Sequence, residues 1–134
     1  MEALINIDVP DLERAIRFYE DGLGLRLSRK LFSGTVAEMS GASSPIHLLE
    51  KREGSTPGST QMQRRAYSRH WTPVHIDFVV DDLDNAIARA TNAGAQLEAG
   101  PQTFEWGRLA ALSDPFGHGL CLIQWSAKGY DAAV

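Results

Sequence analysis

The order of apolar and polar positions divides the chain into two similar halves. Residues 4–9 and 74–80 are short apolar runs with β-branched side chains, and both are predicted strands. Each leads to an Asp-rich helix start, at Asp11 in the first half and Asp81-Asp82 in the second. Carboxylates there accept free N–H groups and suit the positive end of the helix dipole. Leu12, Ala15, Ile16 and Tyr19 then recur on one helical stripe, as do Leu83, Ala86, Ile87 and Ala90. Each helix can bury one face only. Gly22 or Gly24 ends the first helix and Gly94 the second.

With Ile5 placed over Ile76, a shift of 71 residues, Ile5, Val9, Asp11, Leu12, Ala15 and Ile16 match Ile76, Val80, Asp82, Leu83, Ala86 and Ile87. Gly24 and Leu27 match Gly94 and Leu97 after a one-residue gap. Identities in order at structural positions indicate duplication of a unit of roughly 60 residues. Three shorter strands follow each helix, near 25–30, 34–40 and 45–50, then near 95–98, 108–113 and 119–125. Ser33-Gly34, Gly41 to Pro45, Gly100-Pro101 and Asp114-Pro115-Phe116-Gly117 supply turns.

The predicted fold is therefore α+β, two tandem βαβββ modules forming a curved mixed sheet with a cleft. A ferredoxin-like fold needs a second helix per unit, and 31–50 and 101–125 carry no helical stripe. The modules are expected at 1–51 and 72–126. A Gly/Ser/Arg-rich, solvated connector covers 52–71, and 127–134 is a tail.

Composition removes several classes of function. A net charge of −4 does not suit a nucleic-acid binder, and Arg64-Arg65 lie in the connector. No run of eighteen apolar residues is present, so no membrane span is expected. The N-terminal segment lacks the pattern of a signal peptide. Cys121 alone cannot form an internal disulfide, which suits a reducing cytoplasm.

Val9-Pro10-Asp11-Leu12-Glu13-Arg14-Ala15-Ile16-Arg17-Phe18-Tyr19, followed by Gly22-Leu23-Gly24-Leu25, resembles the opening of vicinal-oxygen-chelate modules. Asp114-Pro115-Phe116-Gly117-His118 resembles their last turn. That superfamily contains glyoxalases, bleomycin-resistance proteins and extradiol dioxygenases, so the resemblance implies the fold and leaves the activity open. It also implies a homodimer. Its metal positions fall on Leu4, His47, His75 and Cys121. Strand alternation in a trough would gather all four. Zinc, nickel, manganese or iron is then the implied cofactor, held by His47, His75 and Cys121. Leu4 offers no donor, and Cys121 stands where a Glu is usual. The plainer roles are a hydrogen-bonded structural His75 and a Cys121 that acts as a small buried hydrophobe. His70 and His118 are expected on the solvent side.

Alternation from Leu4 and His75 puts Asn6 and Asp77 in the same trough as candidate ligand-binding groups. Glu38 is the candidate base, against its plainer role as a solvated strand carboxylate. In Trp106-Gly107-Arg108, Trp106 offers a flat face, Arg108 a forked donor, and Gly107 close approach. Three functions stay open. One is a metal-dependent lyase, isomerase or dioxygenase acting on a small oxygenated compound. Another is a non-catalytic drug-sequestering protein. The third is an interaction domain with a closed trough.

Overall fold

Both helices begin where the sequence places them, because one cap forms twice. In the computed structural model, which describes every residue except Gln61, α1 spans Leu12–Asp21 and α2 spans Leu83–Asn92. Asp11 accepts the Arg14 N–H at 2.9 Å, and Asp82 accepts the Asn85 N–H at 3.0 Å. A second acceptor reaches each start from the last strand of its own module. The Glu50 carboxylate takes the Leu12 N–H at 3.1 Å, and the Gln124 amide oxygen takes the Leu83 N–H at 2.9 Å. Two N–H groups left unsatisfied by helical geometry are thus satisfied at each N-terminus.

The chain forms two compact units, Met1–Ser68 and Arg69–Val134. The first contains β1 (Ile5–Val9), β2 (Arg26–Leu31), β3 (Val36–Ser40) and β4 (Ile46–Glu50), in sheet order β1-β4-β3-β2. The second contains β5 (Ile76–Val79), β6 (Gln96–Phe104), β7 (Gly107–Ser113) and β8 (Gly119–Trp125), in order β5-β8-β7-β6. In both, the first strand runs parallel to the last and the other pairs are antiparallel. The same topology twice is the duplication seen in the sequence.

Each helix covers one face of its own sheet. Leu12, Ala15, Ile16, Phe18 and Tyr19 of α1 are buried together with Val9, Ala37, Met39, Ile46 and Leu48. In the second unit Leu83 and Ala90 of α2 are buried with Ala110, Leu112, Leu120 and Leu122. A fully buried Leu or Ile contributes about 1.5–3 kcal/mol. The period of two in these strands leaves the opposite face to the candidate site residues.

Several boundaries move. The first-half strand expected at 34–40 is shortened by a tight turn at Phe32–Gly34, in which Phe32 and Ser33 take positive φ of 50° and 55°. β6 runs to Phe104, well past the expected 98, and shifts register between Leu97 and Ala99 and again between Ala99 and Gln102. It is an edge strand, where bulges and Pro101 are tolerated.

Most described connector residues are exposed, and Arg65 and Tyr67 tie the segment to residues of the first unit. Arg65 donates from Nε to Asp8 at 2.6 Å and from Nη1 to the Thr56 carbonyl at 2.9 Å. Tyr67 donates its hydroxyl to the Lys51 carbonyl at 2.6 Å. The tail also has structure, a short 3-10 turn at Gly129–Ala133. Tyr130 of that turn packs against Trp106 and Trp125 at ring separations of 5.4 and 4.5 Å.

Candidate functional site

Strand register aligns the candidate residues of the two modules. Across the first sheet, Arg29 faces Glu38, Glu38 faces His47, and His47 faces Asn6. Across the second, Ala99 faces Ala111, Ala111 faces Cys121, and Cys121 faces Asp77. His47 and Cys121 are therefore equivalent positions, as are Asn6 and Asp77.

In the first unit this row is filled by its own ion pairs. The Arg29 guanidinium grips Glu38 through two bonds of 3.1 Å, and the His47 Nε2 lies 3.3 Å from the same carboxylate. The hydrogen bond from Arg29, aided by His47, holds the Glu38 carboxyl below its usual range. A carboxylate held as an anion is a weak proton acceptor, which counts against Glu38 as a base. His47 keeps a buried Nδ1 with no hydrogen-bond partner among the described residues. Leu4 lies in this unit also, exposed and without a donor atom.

In the second unit two alanines, Ala99 and Ala111, stand at the register positions held by Arg29 and Glu38 in the first. A cavity of about 170 Å³ lies there, with Ala111 in its wall. Arg69, His70, Trp71, His75, Glu98 and Cys121 supply its chemistry. Its size is of the order that takes up one benzene-sized ring.

His75 and Cys121 stand in the wall of this cavity and cluster with Asp77. Their donor atoms all lie within 4.8 Å of one another, and His75 Nε2 is 3.1 Å from Asp77. Cys121 is half-buried. Burial, followed by the charge of Asp77 and a hydrogen bond to it, pushes the thiol up to about 11. At neutral pH Cys121 is thus a protonated thiol. His, Asp and Cys are all donor types that hold zinc. The set fits a metal in chemical type, but one of its three donors must first lose a proton.

None of the expected ligand groups Asn6, Asp77, Trp106 and Arg108 is among the described residues that line this cavity. Arg108 forms a forked ion pair with Asp84 at 2.9 and 3.0 Å, tying β7 to α2. Trp106 stacks on Phe104 at 4.8 Å and joins the cluster with Trp125 and Tyr130. Gly107 allows a close approach, but the neighbour is the backbone of β8. His70 and His118, expected in solvent, are half-buried and lie 3.0 Å apart, ring nitrogen to ring nitrogen. The cavity residues that sequence reasoning missed, Arg69, His70, Trp71 and Glu98, sit in the connector and on an edge strand. Periodicity carries no signal for either.

Residues 4–123 match the family model described as a glyoxalase-like domain. The chain belongs to the glyoxalase-like family. This places it in the vicinal-oxygen-chelate superfamily, and its two βαβββ modules are that superfamily's fold. The glyoxalase-like chain is 35% identical over 111 residues to the protein named "Putative glyoxylase CFP32" of Mycobacterium tuberculosis (strain CDC 1551 / Oshkosh). That alignment covers 82% of this chain and 38% of CFP32, so the chain spans well under half of that curated relative. Among solved structures it is similar to TnmS3, an antibiotic binding protein from Streptomyces sp. CB03234, with 28% identity and a TM-score of 0.66. That match covers 94% of this chain and 96% of TnmS3. A glyoxalase/bleomycin resistance protein from the same organism is also 28% identical, with a TM-score of 0.64, covering 92% of this chain and all of that one (100%).

Proposed function

We propose that this glyoxalase-like chain is a small-molecule binding protein that captures a planar aromatic compound of the antibiotic type without a metal ion. The observation that carries this reading is the second unit's cavity of about 170 Å³, with Trp71, His75 and Cys121 in its wall. His75 Nε2 lies 3.1 Å from Asp77, and burial together with Asp77 raises the Cys121 thiol. Such a cluster offers hydrogen-bond donors and acceptors to a ligand. The cavity accepts one ring, with the open face of Trp71 at its edge to extend the contact. The likeness over nearly the whole chain to TnmS3, an antibiotic binding protein, supports an antibiotic as the ligand. Homodimer formation, common to the superfamily, is part of the proposal.

A second reading has one observation in its favour, the grouping of His75, Asp77 and Cys121 within 4.8 Å. In that reading these residues hold a divalent ion, which when bound polarises adjacent oxygens of a small carbonyl or diol substrate. Cys121 would give up its proton on loading.

The two readings separate in one experiment. The purified chain is stripped with EDTA and titrated with a panel of aromatic antibiotics, following tryptophan fluorescence, before and after adding zinc or nickel. Binding by the stripped protein, unchanged by metal, supports capture. Binding or turnover that appears only with metal supports the enzyme. Light scattering at the same concentrations tests the dimer.

A further inference from the structure

Arg69 stands in the wall of the second unit's cavity in a fixed pose. Its guanidinium donates from Nε and Nη2 to the two oxygens of Glu98, at 2.5 and 3.0 Å, and from Nη1 to the His70 carbonyl. Guanidinium N–H groups point outward in the plane of the group, so these bonds engage its edge. A Cβ added at Gly119 would stand 2.8 Å from Nη2, 3.2 Å from Cζ and 3.3 Å from Nη1. An atom in the guanidinium plane, beyond Nη1 and Nη2, would be farthest from Cζ. Here Cζ is nearer than Nη1, so the atom stands over a face of the group. One face of Arg69 is therefore seated on the start of β8, and the missing side chain of Gly119 makes the seat.

With one face on Gly119 and its edge turned to Glu98 and the His70 carbonyl, the side that Arg69 gives to the cavity is its other face. An anionic ligand would compete for N–H groups that Glu98 already holds through charge-assisted bonds. The hydrogen bond from Arg69 is the first cause that keeps the Glu98 carboxyl below its ordinary range, so Glu98 stays an anion and repels a second one. A flat cation with an engaged edge suits a ring laid on its face. Arginine stacks on aromatic faces. The negative face of the ring is drawn to the cation, more strongly as its π-system gains electrons.

We infer that Arg69 is a specificity-determining residue of the cavity: its guanidinium, seated on Gly119 and held by Glu98, is the platform on which an electron-rich aromatic ring stacks. The inference rests on the aromatic capture proposed above and narrows it to neutral, electron-rich rings. Electron-poor rings of the same size lose the attraction.

Methoxynaphthalene and cyanonaphthalene are neutral fused rings of similar size that differ in electron density. Each is titrated into the EDTA-stripped chain and followed by NMR at the Arg69 Nε–H. Methoxynaphthalene is expected to move that proton upfield, through the ring current of a stacked group, and to bind about threefold or more tighter than cyanonaphthalene. Arg69→Lys keeps the charge and loses the flat face, so its binding of methoxynaphthalene is expected to weaken about fivefold and the preference to vanish. Gly119→Ala keeps Arg69 but fills its seat, and is expected to remove both the preference and the upfield shift. Saturable binding of both rings with equal affinity in the native chain, or with the Arg69 Nε–H unmoved, overturns the inference and leaves aromatic capture standing. So does a preference that survives in both variants. Failure of either ring to saturate the native chain overturns the inference and aromatic capture together.

Discussion

Glu50 and Gln124 do the same work in the two modules: each reaches from the end of a last strand to accept the first helical N–H, from Leu12 and Leu83 respectively. The pair ties strand order to helix position, because β4 and β8 must lie beside β1 and β5 for the contact to form. It is also one place where a charged and a neutral side chain meet one structural need.

Replacing either residue by Leu leaves a helix N-terminal N–H without its partner. Glu50→Leu and Gln124→Leu are each expected to cost about 1 kcal/mol in urea unfolding. Glu50→Gln, which keeps the acceptor, is expected to cost less than half of that.

Gly107 faces a harder constraint. A Cβ there would lie 2.4 Å from the Gln124 carbonyl oxygen and 3.1 Å from the Trp125 Cα, and the residue's φ is +153°. Both neighbours are backbone and cannot step aside. Gly107→Ala is expected to destabilise the protein by about 3 kcal/mol or more, read as a lowered denaturant midpoint.

Cys121 contributes stability that is lost in alkali. Its thiol titrates at about 11 in the folded chain against an ordinary 9.0, first through burial and then through Asp77. The folded state therefore holds this proton more firmly than the unfolded state. The contribution is complete below pH 9 and is lost as pH rises toward 11. Tyr67, pushed up to about 12 by burial, acts in the same direction at higher pH. Cys121→Ala is expected to flatten the fall in melting temperature between pH 9 and 11. Iodoacetamide labelling at pH 8 is expected to run on the order of 100-fold slower than with a small thiol.

Arg108 is held by Asp84 outside the cavity, in a largely exposed pair. Arg108→Ala is expected to cost less than about 1 kcal/mol of stability. Affinity for any compound bound at the cavity is expected to stay within twofold of the native value. A larger loss of affinity with intact stability would return Arg108 to the binding site.

The duplicated framework was legible because it rests on local signals. Asp11 and Asp82 cap helices whose stripes are plain in the sequence, and the 71-residue shift that pairs Asn6 with Asp77 agrees with the strand register. The equivalence of His47 and Cys121 needed a gap in the alignment, and the two sheets supply the same pairing without one. The cavity was not legible. Its wall includes Glu98 and Ala111, from two strands whose pairing shifts register between Leu97 and Ala99, which no period reveals. It depends equally on Arg69 and His70, connector residues whose partners Glu98 and His118 are 29 and 48 positions away. Trp106 and Arg108 were given ligand roles for their chemistry alone, and the structure shows each engaged with neighbours in its own unit.

Metal-free capture is tested most directly by a fluorescence titration of the EDTA-treated chain with whichever panel antibiotic binds most tightly. The native chain is compared with Cys121→Ser and with added zinc. The expected result is a single saturating curve whose Kd is unchanged by zinc and moves less than about threefold in Cys121→Ser, since a hydroxyl keeps the hydrogen bonding of a neutral thiol. Saturation that requires zinc, and disappears in Cys121→Ser, would contradict it.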